Sequence, residues 1–133
     1  MTIIVCYKPP NNTLAQEEWD SLIANVKMQK PCIILGDFNA HNASWNYSNT
    51  SIDETRLYSS ILENEVFKHN TDTITHIDFS HQSYSNIDLI CSTNDIAHNI
   101  TYKVHDELLG FDHFLIYITY NIEKELYHKK ASK

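Results

Sequence analysis

Residues 32–42 read Cys32-Ile33-Ile34-Leu35-Gly36-Asp37-Phe38-Asn39-Ala40-His41-Asn42, an apolar run that passes directly into a polar turn. The apolar part is typical of a buried strand, which Gly36 ends. Asp37 and Asn39 lie two positions apart where the extended run ends, so their side chains are predicted to point the same way. A carboxylate beside an amide can orient a water molecule and hold a phosphate oxygen. Taken alone, the segment is still more typical of a polar turn that follows a strand.

The composition limits the classes of protein to which the chain can belong. It has 133 residues, 42% of them apolar, which is enough for one domain with one core. No apolar run approaches the roughly 20 residues that span a bilayer, so we expect no membrane association. The cysteines are odd in number and lie in apolar runs, which favours reduced thiols in an intracellular protein. The net charge of −7 argues against non-specific wrapping of nucleic acid, but not against a phosphate-cutting enzyme whose metal supplies positive charge.

Strand and helix signals alternate along the first half of the chain. Residues 3–7 predict a strand, which two consecutive prolines end. Thr13-Leu14-Ala15-Gln16 and Ser51-Ile52-Asp53-Glu54 have the spacing of helix capping boxes. Each helix that follows is predicted to bury one apolar face, formed by Ala15, Trp19, Leu22, Ile23 and Val26 in the first and by Leu57, Ile61 and Leu62 in the second.

Strand signals dominate the second half, at residues 73–79, 86–91, 99–105 and 114–120. The last of these segments is predicted to complete the sheet. Together the elements predict one α+β domain over residues 1–122, with the helices on one face of a sheet and a Lys-rich tail at 123–133. A sheet covered on one face only leaves its other apolar face exposed. We therefore expect the isolated chain to be poorly soluble.

Three further polar clusters lie at the ends of predicted strands. Asp88 stands between two apolar residues, so strand alternation puts its carboxylate on the opposite face. Asp112-His113 leads directly into an apolar strand, where a charge is costly unless it is paired, metal-bound or solvated. The Tyr7 phenol at the end of the first strand can donate to a phosphate oxygen. Each cluster alone fits an ordinary structural role, namely an edge residue, a turn and a packing aromatic.

Considered together, these side chains indicate a shared site. Adjacent strands can bring their ends to one rim of a sheet, where carboxylates, an amide, a phenol and an imidazole would form a metal-assisted phosphodiester site. The donors are rich in oxygen and include no cysteine, which favours Mg²⁺ or Mn²⁺ over zinc. The candidate residues are Tyr7, Asp37, Asn39, Asp88, Asp112 and His113.

The order of these motifs resembles the endonuclease/exonuclease/phosphatase superfamily, with its deoxyribonuclease-I-like fold. The most similar branch is the apurinic-type endonuclease domain of non-LTR (LINE-like) retrotransposons. The resemblance implies the C-terminal part of a four-layer α/β/β/α sandwich and metal-dependent nicking of target DNA, with a reverse transcriptase module in the full-length parent and a nuclear location. It rests on Tyr7-Lys8-Pro9-Pro10, residues 33–41 with Trp45 downstream, Thr75-His76, residues 85–89 and Gly110-Phe111-Asp112-His113.

The resemblance also implies which residues act on the water and the metal. Asp37 would position or deprotonate the attacking water, or assist the leaving oxygen. Asp37 and Asp112 would bind the metal. Asn39 would hold both water and phosphate.

The remaining roles that the resemblance implies concern the phosphate. His113 would bind and neutralise the scissile phosphate, with Asp88 fixing its tautomer and favouring its charged form. Tyr7 would touch the phosphate from the neighbouring strand. The residues that would support the site are His41, Thr75 and His76.

Some features depart from the family pattern. Relatives carry an Asn near their start and a metal-binding Glu in an upstream half, and this chain is predicted to lack both. Phe111 and Leu115 stand where the family usually has Ser and Pro, so Phe111 is predicted to crowd His113. We therefore expect a truncated copy of the endonuclease domain. Two alternatives stay open: a catalytically inactive remnant with at most a binding or structural role, and a phosphatase or phosphodiesterase of the same superfamily.

Overall fold

Helices and strands alternate along the residues that the computed structural model describes, which are 1–40, 51–70 and 73–122. The elements in these ranges are β1 (Thr2–Tyr7), α1 (Gln16–Met28), β2 (Cys32–Asp37), α2 (Ile52–Glu63), β3 (Val66–Lys68), β4 (His76–Asp78), β5 (Ser83–Ser85), β6 (Asp88–Thr93), β7 (Ile100–Val104) and β8 (Ile116–Tyr120). Within them, neither helix is long and apolar enough to cross a membrane. The predicted tail at 123–133 lies outside the described residues.

A four-stranded sheet with the order β1-β2-β6-β3 forms the centre of the fold. β1 runs parallel to β2, whereas β6 is antiparallel to both of its neighbours. The register pairs Tyr7 with Asp37 across β1 and β2, and Asp37 with Asp88 across β2 and β6. Because directly paired residues point to the same face, three predicted site residues form one row at the end of the sheet.

The two helices cover one face of this sheet, as predicted. Trp19 and Ile23 of α1 and Leu57 and Ile61 of α2 are buried against the apolar residues of β2 and β6 that point the same way. Leu62 and Ala15 are exposed, so their predicted burial was wrong. The buried stripe of α2 follows the spacing of Leu57 and Ile61, and Ala15 is the N-cap of α1.

The helix starts agree only partly with the capping boxes. The Ser51 hydroxyl accepts a hydrogen bond from the Glu54 N–H, as predicted for α2. The prediction for α1 was wrong, because its N-cap is Ala15 rather than Thr13. Glu18 provides the reciprocal contact, since its carboxylate accepts from the Ala15 N–H at 2.8 Å. Just before the helix, the Leu14 N–H donates to the Asp53 carboxylate of α2 at 3.0 Å.

A β-hairpin formed by β7 and β8 packs on the opposite face of the central sheet. Its apolar side contacts Ile33 and Ile90, which alternate with the residues that face the helices. The prediction that residues 114–120 complete the main sheet was therefore wrong, since this segment pairs with β7 in a separate sheet. The layers of helices, central sheet and second sheet agree with the predicted α+β class.

The prediction of a bare second face was wrong for β2 and β6, which the hairpin covers, but one apolar stripe of β1 stays uncovered on that side. Ile3, Val5 and Tyr7 are 58%, 75% and 67% exposed, whereas Ile4 and Cys6 pack against the helix side. An edge strand with such a stripe also offers unpaired main-chain groups to another chain. The poor solubility that we predict from the sequence would arise from this exposed stripe.

We predict that the chain self-associates through this stripe. The double variant Ile3→Thr, Val5→Thr keeps β-branched side chains but removes apolar area, so it should shift the population toward monomer. Light scattering after size-exclusion chromatography measures the effect. Leu62→Gln, which removes an exposed apolar side chain on α2, serves as the control and should leave the mass distribution unchanged. A monomeric, monodisperse wild-type chain would contradict the prediction.

Candidate active site

Main-chain hydrogen bonds from β4 and the residue before it place His113 at the end of the sheet. The Asp112 carbonyl accepts from the Ile77 N–H at 2.9 Å, and the Phe114 N–H donates to the Thr75 carbonyl at 2.8 Å. These bonds bracket His113 on both sides. These main-chain bonds therefore fix the position of the His113 backbone, from which the imidazole extends.

The His113 imidazole lies between two carboxylates. Its Nδ1 is 2.8 Å from an Asp88 oxygen, and its Nε2 is 3.8 Å from an Asp37 oxygen. All three side chains are partly buried, and Asp37 and Asp88 are direct partners across β2 and β6. Residues separated by up to 76 positions thus meet in one cluster, as the sequence motifs predicted. The Asp88 contact holds Nδ1 and leaves Nε2 directed at Asp37.

The charges and the burial of this cluster shift the pKa values of both His113 and Asp37. Burial lowers the pKa of His113, but the hydrogen bond and charge of Asp88, with the charges of Asp37 and Asp112, outweigh it and raise the pKa above its usual value. Burial raises the pKa of Asp37, and the like charge of Asp88 adds to this effect. The arrangement therefore favours a charged imidazole next to a carboxylate that accepts a proton more readily than usual.

Two like charges placed directly opposite each other in a sheet are destabilising unless a cation lies nearby. Asp37 and Asp88 are such a pair, and the His113 imidazole lies close to both carboxylates. Each of the three offers a ligand atom within 4.8 Å of the others. A pair of carboxylates with this spacing fits an oxygen-preferring divalent cation.

Thr75 supports the site from a fully buried position. Its hydroxyl oxygen accepts hydrogen bonds from the N–H groups of Ile87 and Asp88, both at 3.2 Å. Thr75 therefore fixes the beginning of β6, from which the Asp88 carboxylate extends. This placement agrees with the supporting position implied by the sequence.

Asn70 also positions Asp88, and the sequence motifs did not include it. Its side-chain amide donates to the Asp88 carbonyl at 2.8 Å, and its side-chain oxygen accepts from the Ile90 N–H at 2.8 Å. The Asn70 side chain thus forms the hydrogen bonds with the β6 backbone that a neighbouring strand would otherwise form. An Asn shortly after a strand is a common turn residue, so its sequence carried no specific signal.

Asn39 lies beside Asp37, but its side chain is turned inward. Its N–H donates to an Asp37 oxygen at 3.0 Å, which helps to orient that carboxylate. Its buried side-chain amide donates to the Lys8 carbonyl at 2.7 Å. The backbone at Asn39 has φ of +44°, a left-handed conformation that Asn adopts more easily than most residues. A role in holding water and phosphate stays a prediction.

Two further predicted residues, Tyr7 and Phe111, are exposed to solvent. Tyr7 is exposed in the row that contains Asp37, so its phenol is accessible from solvent. Phe111 is 70% exposed, which contradicts the prediction that it crowds His113. His41 and Trp45 lie outside the described residues.

His76 lies beside His113 in the cluster. The centroids of the two imidazole rings are 4.6 Å apart. His76 Nδ1 is 3.1 Å from the Ser85 hydroxyl, and its Nε2 is 3.6 Å from an Asp112 oxygen. The supporting residue implied by the sequence is therefore in direct contact with the cluster.

Comparisons with known proteins identify the family and the fold of the chain. A family model described as endonuclease-reverse transcriptase matches residues 1–117. A search of curated proteins found no match. Among solved structures, the endonuclease domain of TRAS1, a telomere-specific non-LTR retrotransposon, is similar with a TM-score of 0.70 and 21% identity. The match covers 89% of this chain and 56% of that one, so the chain spans little more than half of that structure. The structural likeness shows the deoxyribonuclease-I-like fold, and the family match shows that the chain belongs to the endonuclease-reverse transcriptase family of the endonuclease/exonuclease/phosphatase superfamily.

Proposed function

We propose that residues 1–122 are the C-terminal part of a metal-dependent DNA endonuclease domain from a non-LTR retrotransposon. The observation that carries the proposal is the position of His113 between Asp88 and Asp37 at the end of the central sheet. An imidazole with a raised pKa beside a carboxylate with a raised pKa suits hydrolysis of a phosphodiester.

In this proposal Asp37 acts on the attacking water. Its carboxylate accepts a proton as the water oxygen forms a bond to phosphorus, the bond from phosphorus to the leaving oxygen breaks, and that oxygen takes a proton from solvent water. The Asn39 N–H keeps one Asp37 oxygen in place, and the Asn39 side chain holds the neighbouring Lys8 carbonyl. Because burial and Asp88 raise the pKa of Asp37, the proton transfer is more favourable than to an ordinary carboxylate.

His113 and Tyr7 bind the phosphate. The charged His113 imidazole compensates the negative charge that develops on the phosphate oxygens, and Asp88 keeps it charged and oriented. The Tyr7 phenol donates to a phosphate oxygen from the edge strand. Asp37 would hold Mg²⁺ or Mn²⁺ in the group that it forms with Asp88 and His113, with Asp112 contributing from the adjoining group. The ion would supply further positive charge for the same purpose.

The expected substrate is target DNA, and the nick would leave a primer end for a reverse transcriptase module of the parent protein. Such a substrate implies a nuclear location. A second candidate function is an inactive remnant with at most a binding or structural role. The specific observation in its favour is that the Asn39 side chain is buried and donates to the Lys8 carbonyl, so it is not available to hold a phosphate.

Nicking of supercoiled plasmid in Mg²⁺ tests the proposal. We expect little or no nicking by the 133-residue chain and clear nicking by a version extended upstream of Met1. In the extended version, His113→Ala should reduce the rate by about 100-fold or more, because it removes both the phosphate contact and the partner of Asp88. His98→Ala, on an exposed residue away from the cluster, is the matched control.

The outcomes separate the two candidates. An extended version that nicks equally well with and without His113 would overturn the proposed site. Absence of nicking in every version would favour the inactive remnant. Robust nicking by the 133-residue chain that His113→Ala abolishes would show that the part described here suffices.

A further inference from the structure

We propose that His76, Asp112 and His113 form a binding site for a transition-metal ion, with Zn²⁺ as the best-fitting one. The three residues each offer a ligand atom, and these atoms lie within 4.8 Å of one another. His113 and Asp112 are shared with the proposed nuclease site, whereas the second imidazole comes from His76. Binding by this group does not depend on nuclease activity.

The distances suit a small ion with short bonds. Zinc binds imidazole nitrogen and carboxylate oxygen at about 2.0–2.2 Å, so tetrahedral ligands lie roughly 3.3 Å apart. His76 Nε2 and the Asp112 oxygen are already 3.6 Å apart. The Asp112 side chain is 62% exposed, so it can approach the ion without moving the packed strands.

Both imidazoles are held in the way that metal-binding histidines usually are. His76 Nδ1 contacts the Ser85 hydroxyl, and His113 Nδ1 contacts the Asp88 carboxylate. Each contact occupies one ring nitrogen and leaves Nε2 as the atom available to an ion. Outer partners of this kind fix the tautomer and the ring direction of zinc ligands.

The main chain holds the three residues in register. His76 and His113 are partners in an isolated antiparallel bridge, and the Asp112 carbonyl accepts from Ile77 next to His76. The site therefore joins two segments through backbone that is fixed before any ion binds. Such preorganisation reduces the ordering cost of binding.

The donor set selects the ion. Mg²⁺ prefers six oxygen ligands and keeps much of its water, whereas two imidazoles and one carboxylate are typical of zinc sites with an open position. Affinity for nitrogen donors rises along the series from Mn²⁺ to Cu²⁺ and is still higher for Zn²⁺ than for Mn²⁺. A Zn²⁺ ion at this position would occupy the His113 Nε2 that the proposed reaction needs, so it would act as an inhibitor rather than as the catalytic metal.

Calorimetric titration of the purified chain with ZnCl₂ tests the site without any nuclease assay. We expect one ion to bind per chain in the presence of millimolar Mg²⁺. His76→Asn and Asp112→Asn should each weaken this binding about tenfold or more. Co²⁺ offers a second measurement, since an ordered site with nitrogen ligands should give a visible absorption band that both variants lose.

Matched controls make the result specific. His98→Asn and His81→Asn replace exposed histidines outside the group and should leave Zn²⁺ binding unchanged. Asp112 is exposed, so its variant is expected to keep the fold even if a His76 variant does not; circular dichroism checks both. Wild-type affinity in Asp112→Asn and in folded His76→Asn would overturn the proposal. Equal weakening by His98→Asn, or displacement of the ion by Mg²⁺, would also overturn it.

Discussion

Gly36→Ala is expected to prevent the chain from folding, with a loss of more than about 4 kcal/mol. A Cβ atom at Gly36 would lie 1.8 Å from the carbonyl oxygen of Cys6, a main-chain atom of the paired strand β1. The backbone there has φ of +149°, a conformation that residues with a side chain rarely adopt. Neither the contact nor the strain is relieved without separating β1 from β2.

The other glycine in the chain provides the matched control. Gly110 also has a positive φ, of +88°, but a Cβ atom there would meet nothing within 4 Å. Gly110→Ala should therefore cost only the backbone term, about 1–2 kcal/mol. Urea unfolding followed by circular dichroism measures both variants. A Gly36→Ala chain that unfolds at the wild-type urea concentration would contradict the prediction.

The same glycine shows why the sequence predicted the centre of the fold well. Apolar residues on both sides of β2 marked a strand buried on both faces, and Gly36 followed by Asp37 marked its end. Once two strand ends carry acids, pairing of their strands brings the acids together. This is why Asp37 and Asp88 could be placed in one site before their register was known.

Contacts between distant segments were harder to predict. The segment at 114–120 has the same apolar pattern whether it joins the central sheet or pairs in a separate hairpin, so periodicity alone could not decide. The sequence also did not predict which residues hold Asp88 in place. Thr75 emerged only through a family resemblance, and Asn70 did not emerge at all.

The motif residue Lys8 illustrates a further limit of sequence motifs. It lies in the Tyr7-Lys8-Pro9-Pro10 segment, where a basic residue next to a phosphate site would ordinarily be expected to face the substrate. Instead its side chain is buried and forms an ion pair with Asp53 at 3.1 Å. Its ammonium group also donates to the carbonyls of Pro9 and Asn12. A structural role therefore accounts for this motif residue.

Asp53→Ala is expected to destabilise the chain by about 3–5 kcal/mol, because it leaves a buried ammonium group without its partner. Lys8 and Asp53 are only 4% and 5% exposed. The Asp53 carboxylate also accepts hydrogen bonds from the Leu14 N–H at 3.0 Å and from the Trp19 indole at 3.1 Å. The Asp53 side chain in the first turn of α2 thus contacts both the residue that follows β1 and the segment that precedes α1.

Asp53→Asn separates the charge from the hydrogen bonds and should cost less than Asp53→Ala, since an amide oxygen can still accept. Asp95→Ala removes an exposed acid and should change stability by no more than about 0.5 kcal/mol. Urea unfolding at neutral pH compares the three variants with the wild type. Equal stability of Asp53→Ala and Asp95→Ala would show that the ion pair contributes nothing.

The pH dependence gives a second test of the same ion pair. Burial raises the pKa of Asp53, but the hydrogen bonds from Leu14, Trp19 and Lys8 and the charge of Lys8 outweigh it and hold the pKa below its ordinary value of 3.8. A group with a lower pKa in the folded state stabilises the fold above the ordinary value and loses that contribution as the pH falls through the lowered pKa. The difference in stability between wild type and Asp53→Asn should therefore shrink in acid. A difference that stays constant from neutral pH to about pH 3 would contradict the assignment of the lowered pKa to this carboxylate.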